Sequence, residues 1–288
     1  RYRYRYRYRY RYRYRYRYRY RYRYRYRCRD CGRTFNGLSG TPLARLRLKQ
    51  RWLAYLDCLR EPVCTVHNAA GKVGVHPNTS FRWRHRFLQW TKLDRPASLT
   101  GIVEADEIFL LESQKGHKHL TRTPRKRGGN PSRPIIAKDL VNIVLARDRS
   151  GGTVDFIAGR GALKSRALHT HLLLKLARDV ILATDSNGAY QRFARDAGLM
   201  HRTVDPRQDV APPGTIHVQT VREYHSRFKD WLCHFNGVAT RYLENYLGWR
   251  WAIDRLRIPD APHFLKAALG VSTANGERGG NSLLGGSS

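Results

Sequence analysis

The chain has 288 residues and carries 55 Lys and Arg against 22 Asp and Glu, a formal net charge of +33. So large a charge opposes compaction and draws polyanions, which makes nucleic acid the leading partner. No stretch reaches the roughly 18 apolar residues of a membrane helix, and the charged start lacks the apolar core of a secretory signal.

Residues 1–26 are an unbroken Arg-Tyr repeat with 13 Arg, which leaves +20 of the +33 on the remainder. A strand of this pattern would place like charges about 6.8 Å apart on one face, so disorder is expected. The repeat also reads as an expansion or assembly artefact, since a six-nucleotide DNA repeat encodes it. The sequence begins without Met, as a fragment or conceptual translation would. Five Cys, an odd number over a long chain, make no disulfide framework and point to a reducing, cytoplasmic setting.

Cys28-Arg29-Asp30-Cys31-Gly32 has the C-x-x-C spacing of one zinc knuckle. Over residues 27–41 it forms half a zinc ribbon, with Cys28 and Cys31 as candidate Zn²⁺ ligands. The second thiol pair should lie upstream, where the repeat stands, so the expectation is an orphaned knuckle.

Residues 42–95 read as a helical DNA-binding module. A helix is expected over 42–61, from Leu46, Leu48, Trp52, Leu53, Leu56 and Leu59. Two more, Val66–Val75 and Asn78–Trp90, surround a turn at Gly74-Val75-His76-Pro77, which is a helix-turn-helix pattern. Asn78 and Thr79 open the second helix, and Arg82, Arg84 and Arg86 lie along it, where contacts to double-stranded DNA would fall.

From Gly101 the pattern changes to alternating strands and helices. Ile102–Leu110 is a strand with Glu104 and Asp106 on one face by the period of two. Residues 115–134 form a basic loop containing Arg125, Lys126 and Arg127, candidate phosphate contacts. Leu140–Ala146 and Thr153–Ala158 are strands around a hairpin turn, Leu163–Leu176 is helical, and Asp179–Ala183 is a strand. Ala189–Ala197 is helical, Met200–Val204 is a short strand, and a long helix broken near Asn236-Gly237 runs from Thr220 into Trp251. This order describes a ribonuclease H-like α/β fold with a mixed sheet over residues 101–255, followed by a largely disordered tail over 256–288. Asp185 falls just past a strand's C-terminal end, where open α/β sheets bind ligands. Asp106 and Asp185 together would suit Mg²⁺ or Mn²⁺, hard cations that prefer oxygen ligands, and could hold two ions for phosphodiester chemistry.

Seven segments carry a resemblance: Val103–Phe109, Arg125–Gly129, Ala146–Arg149, Asp185–Tyr190, Tyr224–Lys229, Phe235–Leu243 and Asn245–Trp249. In this order they resemble bacterial insertion-sequence DDE-type transposases of the IS1595 group, over roughly residues 27–255. The resemblance implies metal-dependent DNA cleavage at element ends, strand transfer into target DNA, and action as a homo-oligomer in the bacterial cytoplasm on the nucleoid. It makes Asp106 and Asp185 the first two catalytic acids. The third position, seven residues before Lys229, is Arg222 rather than Glu or Asn. Glu223 or His225 could serve instead, with Lys229 as a phosphate contact, or the site is compromised. The competing readings are a catalytically inactive DNA-binding remnant and a basic RNA-binding protein.

Overall fold

The computed structural model describes residues 25–124, 139–204 and 217–270. The chain divides into two units, Arg1–Arg47 and Leu48–Ser288. In the first, β1 (Tyr26–Arg27) pairs antiparallel with β2 (Thr34–Phe35). The turn between them closes with Gly32 N–H donating to the Cys28 carbonyl at 3.1 Å, and Gly32 takes a φ of +66° that suits glycine.

The single helix expected over 42–61 is not formed. Arg45 and Leu48 adopt positive φ, which interrupts α-helical winding. A 3-10 turn at Lys49–Arg51 precedes α1, Trp52–Arg60. Then α2 (Val66–Val73) and α3 (Pro77–Phe87) follow in quick succession. Local chemistry sets each boundary. The Thr65 side chain accepts from Asn68 N–H to cap α2, and Gly74 ends it in the left-handed region. The His76 ring accepts from Asn78 N–H, and Pro77 opens α3 where its missing N–H costs nothing. Tyr55, Leu59, Ala69, Trp83 and Phe87 bury the seam among the three helices.

The larger part of the second unit is a five-stranded mixed sheet of order β5-β4-β3-β6-β7. These are β3 (Ile102–Leu111), β4 (Leu140–Asp148), β5 (Thr153–Arg160), β6 (Ile181–Thr184) and β7 (Met200–Thr203). β4 pairs antiparallel with β3 and β5, whereas β6 runs parallel to both β3 and β7. This is the ribonuclease H-like α/β arrangement expected from the order of elements. Val141 through Ala146 are all buried, as a central strand covered on both faces requires.

Helices cover both faces. Val103, Ala105, Val144 and Leu182 join Leu168, Tyr190 and Phe193 in one core, so α4 (Ser165–His171) and α5 (Gly188–Ala197) lie on that side. Against the other face lie α6 (Gln219–Cys233), over β3 and β4, and α7 (Leu243–Asp254), over β5. The expected break between the last two falls at Asn236 and Gly237, both at positive φ.

Of the expected tail, residues 256–270 are described and carry structure, while 271–288 lie outside the described residues. The described part includes α8 (Ala261–Ala268), capped by the Asp260 carboxylate and packed on α1 with Phe264 fully buried. Its apolar face supplies burial that composition alone did not disclose. Trp231, Trp249 and Trp251 are core residues. The indole N–H of Trp231 donates to the Pro62 carbonyl at 2.7 Å and that of Trp249 to Leu59 at 2.9 Å, tying α6 and α7 to the α1 segment.

Candidate active site

The site grows from the geometry of β3. Successive side chains on a strand point to opposite faces, so Glu104 and Asp106 face α6 while Ala105 and Glu107 face α5. Glu104 is fully buried. One of its oxygens accepts from Val221 N–H at 3.1 Å, inside the first turn of α6, and the other lies 3.4 Å from Arg149 Nε and 3.3 Å from His217 Nδ1. A buried carboxylate is held when it is paired and when it meets a helix N-terminus. Glu104 thereby pins α6 to β3.

Two turns of α6 then lie over Asp106. His225 is buried, with Nδ1 3.5 Å from Asp106 Oδ2, and Arg222 Nε lies 3.9 Å from the same oxygen. The remaining oxygen, Oδ1, accepts from Glu107 N–H at 2.9 Å.

Asp185 arrives from the neighbouring strand. β6 ends at Thr184, and the chain turns so that Asp185 Oδ1 accepts from Asn187 N–H at 3.0 Å, while Asn187 in turn caps α5. Because β6 is short, β3 projects beyond it. A side chain just past the end of β6 therefore reaches residues on either face of β3. Asp106, Glu107 and Asp185 offer ligand atoms that all lie within 4.8 Å of one another, the one such group of three or more among the described residues.

Glu107 was not singled out from sequence, because the period of two puts it on the face opposite Asp106. Its Oε1 accepts from Asn187 Nδ2 at 2.7 Å, and its Oε2 is buried without a hydrogen-bond partner. Burial, with the nearby carboxylates of Asp185 and Asp106, raises its pKa to about 7, while the Asn187 hydrogen bond opposes the shift. The Tyr190 hydroxyl is equally buried and lies against the Glu107 carboxylate, and burial with the charges of Glu107 and Asp106 raises its pKa well above the ordinary range.

The donor set is all carboxylate, hard oxygen suited to Mg²⁺ or Mn²⁺.

The other sequence candidates separate. Glu223 is exposed on α6 and stands outside the carboxylate group, because one residue of helix turns it about 100° from Arg222. Lys229 is exposed two turns along the same helix. Asn78, Arg82 and Arg86 are exposed on α3 and Thr79 is half-buried. Arg84 is a correction to the expected DNA-contacting row, for it is wholly buried. Its guanidinium donates to the Cys64 carbonyl and to the Tyr246 hydroxyl, and lies over the rings of Trp249 and Phe235 at 5.1 and 5.6 Å. One position in a helix turns through 100°, so an unbroken basic run divides between surface and core. Arg125, Lys126 and Arg127 lie outside the described residues.

In the first unit, backbone N–H groups of Cys31 and Asp30 and the Cys31 thiol lower the Cys28 pKa. All five cysteines are free, and among the described residues neither Cys28 nor Cys31 joins a group of three or more metal-ligating side chains.

Residues 98–251 match the family described as ISXO2-like transposase domain. The uncharacterized protein in transposable element ISH50 of Halobacterium salinarum is 28% identical over 223 residues, covering 76% of this chain and 74% of the relative. Among solved structures, the simian T-cell lymphotropic virus intasome in complex with PP2A regulatory subunit B56 gamma aligns at 12% identity and TM-score 0.33, over 70% of this chain and 69% of that one. The Mos1 transposase paired-end complex with left transposon end aligns at 14% identity and TM-score 0.29, over 76% and 78%. The assignment rests on the domain match, which spans the whole sheet and the helices that carry its acidic cluster: the chain belongs to the IS1595 group of transposases.

Proposed function

We propose that the chain cleaves DNA at the ends of its element and joins the freed 3′ ends to target DNA, with Asp106 and Asp185 holding the divalent cation. The observation that carries this reading is the meeting of those two carboxylates, 79 positions apart in the chain, in one cluster beside β3. In the first step a water oxygen attacks phosphorus, the bond to the 3′-oxygen breaks, and the water's proton ends on that oxygen. In the second the 3′-hydroxyl attacks a target phosphate and displaces the target strand's 3′-oxygen, which takes up the proton. A bound Mg²⁺ or Mn²⁺ supplies Lewis-acid activation of the nucleophile and neutralises charge on the leaving oxygen. Asp106 and Asp185 orient it, and Glu104 holds α6 in place. Lys229 and the basic segment Arg125, Lys126 and Arg127 contact DNA phosphates, while Asn78, Thr79, Arg82 and Arg86 read the element ends in double-stranded DNA from one face of α3. The chain acts as a homo-oligomer on paired ends in the bacterial cytoplasm. No helix among the described residues is long and apolar enough to cross a membrane.

The ion pair between Arg222 and Asp106 favours a second reading, that of an inactivated copy which still binds DNA. One assay separates the two. A labelled element-end duplex is incubated with Mn²⁺ and the chain, beside Asp106→Ala and Asp185→Ala. Metal-dependent product that both variants lose supports the enzyme. Duplex binding without product, with cleavage appearing in Arg222→Asn, supports the inactivated copy.

A further inference from the structure

We propose that Phe81 contacts the C5-methyl group of a thymine in the major groove at the element ends, so that recognition there depends on thymine at one position. This rests on the reading of α3 as the helix that meets the ends, and names the base it reads.

Three observations lead to it. The first is the placement of the ring. At about 100° per residue, positions 78, 81, 82, 85 and 86 of α3 fall on one side. The opposite side, through Ser80, Trp83, Arg84 and Phe87, is buried. Asn78, Phe81, Arg82 and Arg86 are exposed, and Phe81 is the one exposed apolar side chain of the helix, at 37%. His85 is taken, its ring stacked on Tyr242 of the α/β domain. The stretch from Asn78 to Arg82 stays open, and it is by its N-terminal residues that a recognition helix reaches base edges.

The second is the charge around the ring. Residues 65–93 contain no Asp or Glu. Arg82 and Arg86 lie beside Phe81 on the same side of α3, and Arg241 is exposed with its Cζ 4.8 Å over the Tyr242 ring. Such a surface draws a duplex through its phosphates, and phosphate contacts carry no base identity. An aromatic ring among these cations gains nothing from phosphate. The apolar group that the major groove presents is the thymine methyl, which marks an A·T pair and its orientation.

The third is the bracing of the ring. Phe81 stands edge-on to His85 at 4.6 Å between centroids and to Tyr242 at 5.3 Å. Tyr242 belongs to the 3-10 turn Thr240–Tyr242, so two elements distant in sequence hold the same side chain. A ring already fixed loses little freedom when it meets its target. Arg84, enclosed by Trp249 and Phe235, fixes the helix beneath it.

The test is equilibrium binding of the full chain to fluorescent element-end duplexes in which each thymine in turn is replaced by uracil, which lacks only the methyl. One replacement is expected to weaken binding about fourfold, as loss of one buried methyl group does. In Phe81→Ala the duplexes with thymine and with uracil at that position bind alike, whereas Arg82→Ala weakens both and keeps their ratio. Should Phe81→Ala fail to fold, 5-iodouracil at the same position decides. Its iodine stands in for the methyl, and irradiation joins it to the peptide that carries Phe81. The proposal is overturned by a photoproduct without Phe81, by a ratio that persists in a folded Phe81→Ala, or by a ratio that Arg82→Ala abolishes as fully. A folded Phe81→Ala that keeps the ratio and changes oligomeric state assigns the ring to contact between copies of the chain instead. Element ends bound no tighter than an arbitrary duplex remove the reading of α3 on which this rests. End-specific binding that is indifferent to every replacement sinks this inference alone.

Discussion

At the residue scale, Glu104 and Gly248 hold the framework on which the acidic cluster is built. Glu104 joins Val221 N–H, Arg149 and His217 in a buried setting. Truncating it leaves a buried helix-end N–H without its acceptor and removes the counter-charge beside Arg149, a loss on the order of 2 kcal/mol. Glu104→Ala is therefore expected to lower the denaturant midpoint sharply and to weaken Mn²⁺ binding, since α6 loses its anchor. A midpoint within experimental error of the unaltered chain would refute that. Gly248 has a different reason to be what it is. A Cβ there would lie inside the van der Waals surface of the Thr91 carbonyl, because α7 crosses the Trp90–Lys92 turn at backbone contact. Gly248→Ala should destabilise by about 2 kcal/mol or more, as overpacking against backbone does. Thermal melting checks it, and an unchanged Tm would mean the helix can shift without cost. The pairing of Glu104 with Asp106 was readable from strand period alone, and so was the placement of Asp185 past a strand end. Glu107 was not readable, because its membership depends on how far β6 falls short of β3, a matter of strand length that periodicity does not encode. The position of Arg222 was readable by counting from Lys229, but its ion pair with Asp106 needed the helix in place.

At the element scale, α3 turns a basic run into two faces with opposite roles. Asn78, Arg82 and Arg86 recur every four residues and are exposed, whereas Arg84 is enclosed by Trp249, Phe235 and Tyr246. Arg82→Ala should reduce duplex affinity with less than about 0.5 kcal/mol change in stability, as is usual for exposed positions. Arg84→Ala should do the reverse, destabilising by about 3 kcal/mol through lost packing and the loss of its bonds to the Cys64 carbonyl and the Tyr246 hydroxyl. Anisotropy with a fluorescent duplex and a denaturant melt, run on both variants, distinguish the faces, and equal effects on binding would contradict the division. His85 adds a pH dependence to the same helix. Its ring stacks on Tyr242 at 3.8 Å between centroids and bonds to the Asn245 side chain at 2.9 Å. Burial, with the charges of Arg84, Lys92 and Arg241, lowers its pKa to about 3. The unfolded chain takes up this proton near pH 6.5, so the stability present above that value is lost as pH falls toward 3. The loss is on the order of 3 kcal/mol by pH 4. His85→Phe keeps a ring in the stack and cannot titrate, so its melting temperature should fall less between pH 7 and pH 4. Parallel pH profiles for the two chains would show that His85 is not responsible. Sequence alone marked the two helices and the turn at Gly74, whose signals are local. It misread residues 42–61 as one helix and did not disclose the helix over Ala261–Ala268, because the left-handed Arg45 and Leu48 and the burial of Phe264 are not signalled by local periodicity.

At the scale of the whole molecule, the charge is arranged along the chain rather than spread evenly. Of the net +33, thirteen charges belong to residues 1–26, which carry no acid at all. Each DNA phosphate neutralised by Lys or Arg releases condensed counterion, so the slope of log K against log salt is about −0.9 per contact on a duplex. The remaining +20 divides evenly between residues 27–100 and 101–288, and in the α/β domain Asp155 and Asp254 are taken up by the buried pairs with Arg95 and Arg147. The proposed function calls for two kinds of DNA contact: a general electrostatic attraction, to which the repeat would contribute, and an oriented contact through the exposed row on α3. Removing residues 1–26 should weaken binding to an arbitrary duplex more than binding to the element's own ends. It should also make the salt slope shallower by several units. Adding Arg82→Ala to that shortened chain should then reduce the preference for element ends with a further slope change of only about one. Titrations of both duplexes at several salt concentrations measure this. An identical slope before and after the deletion would mean the repeat never meets DNA. A shallower slope with an unaltered preference would assign the repeat to general attraction and leave recognition to the folded unit.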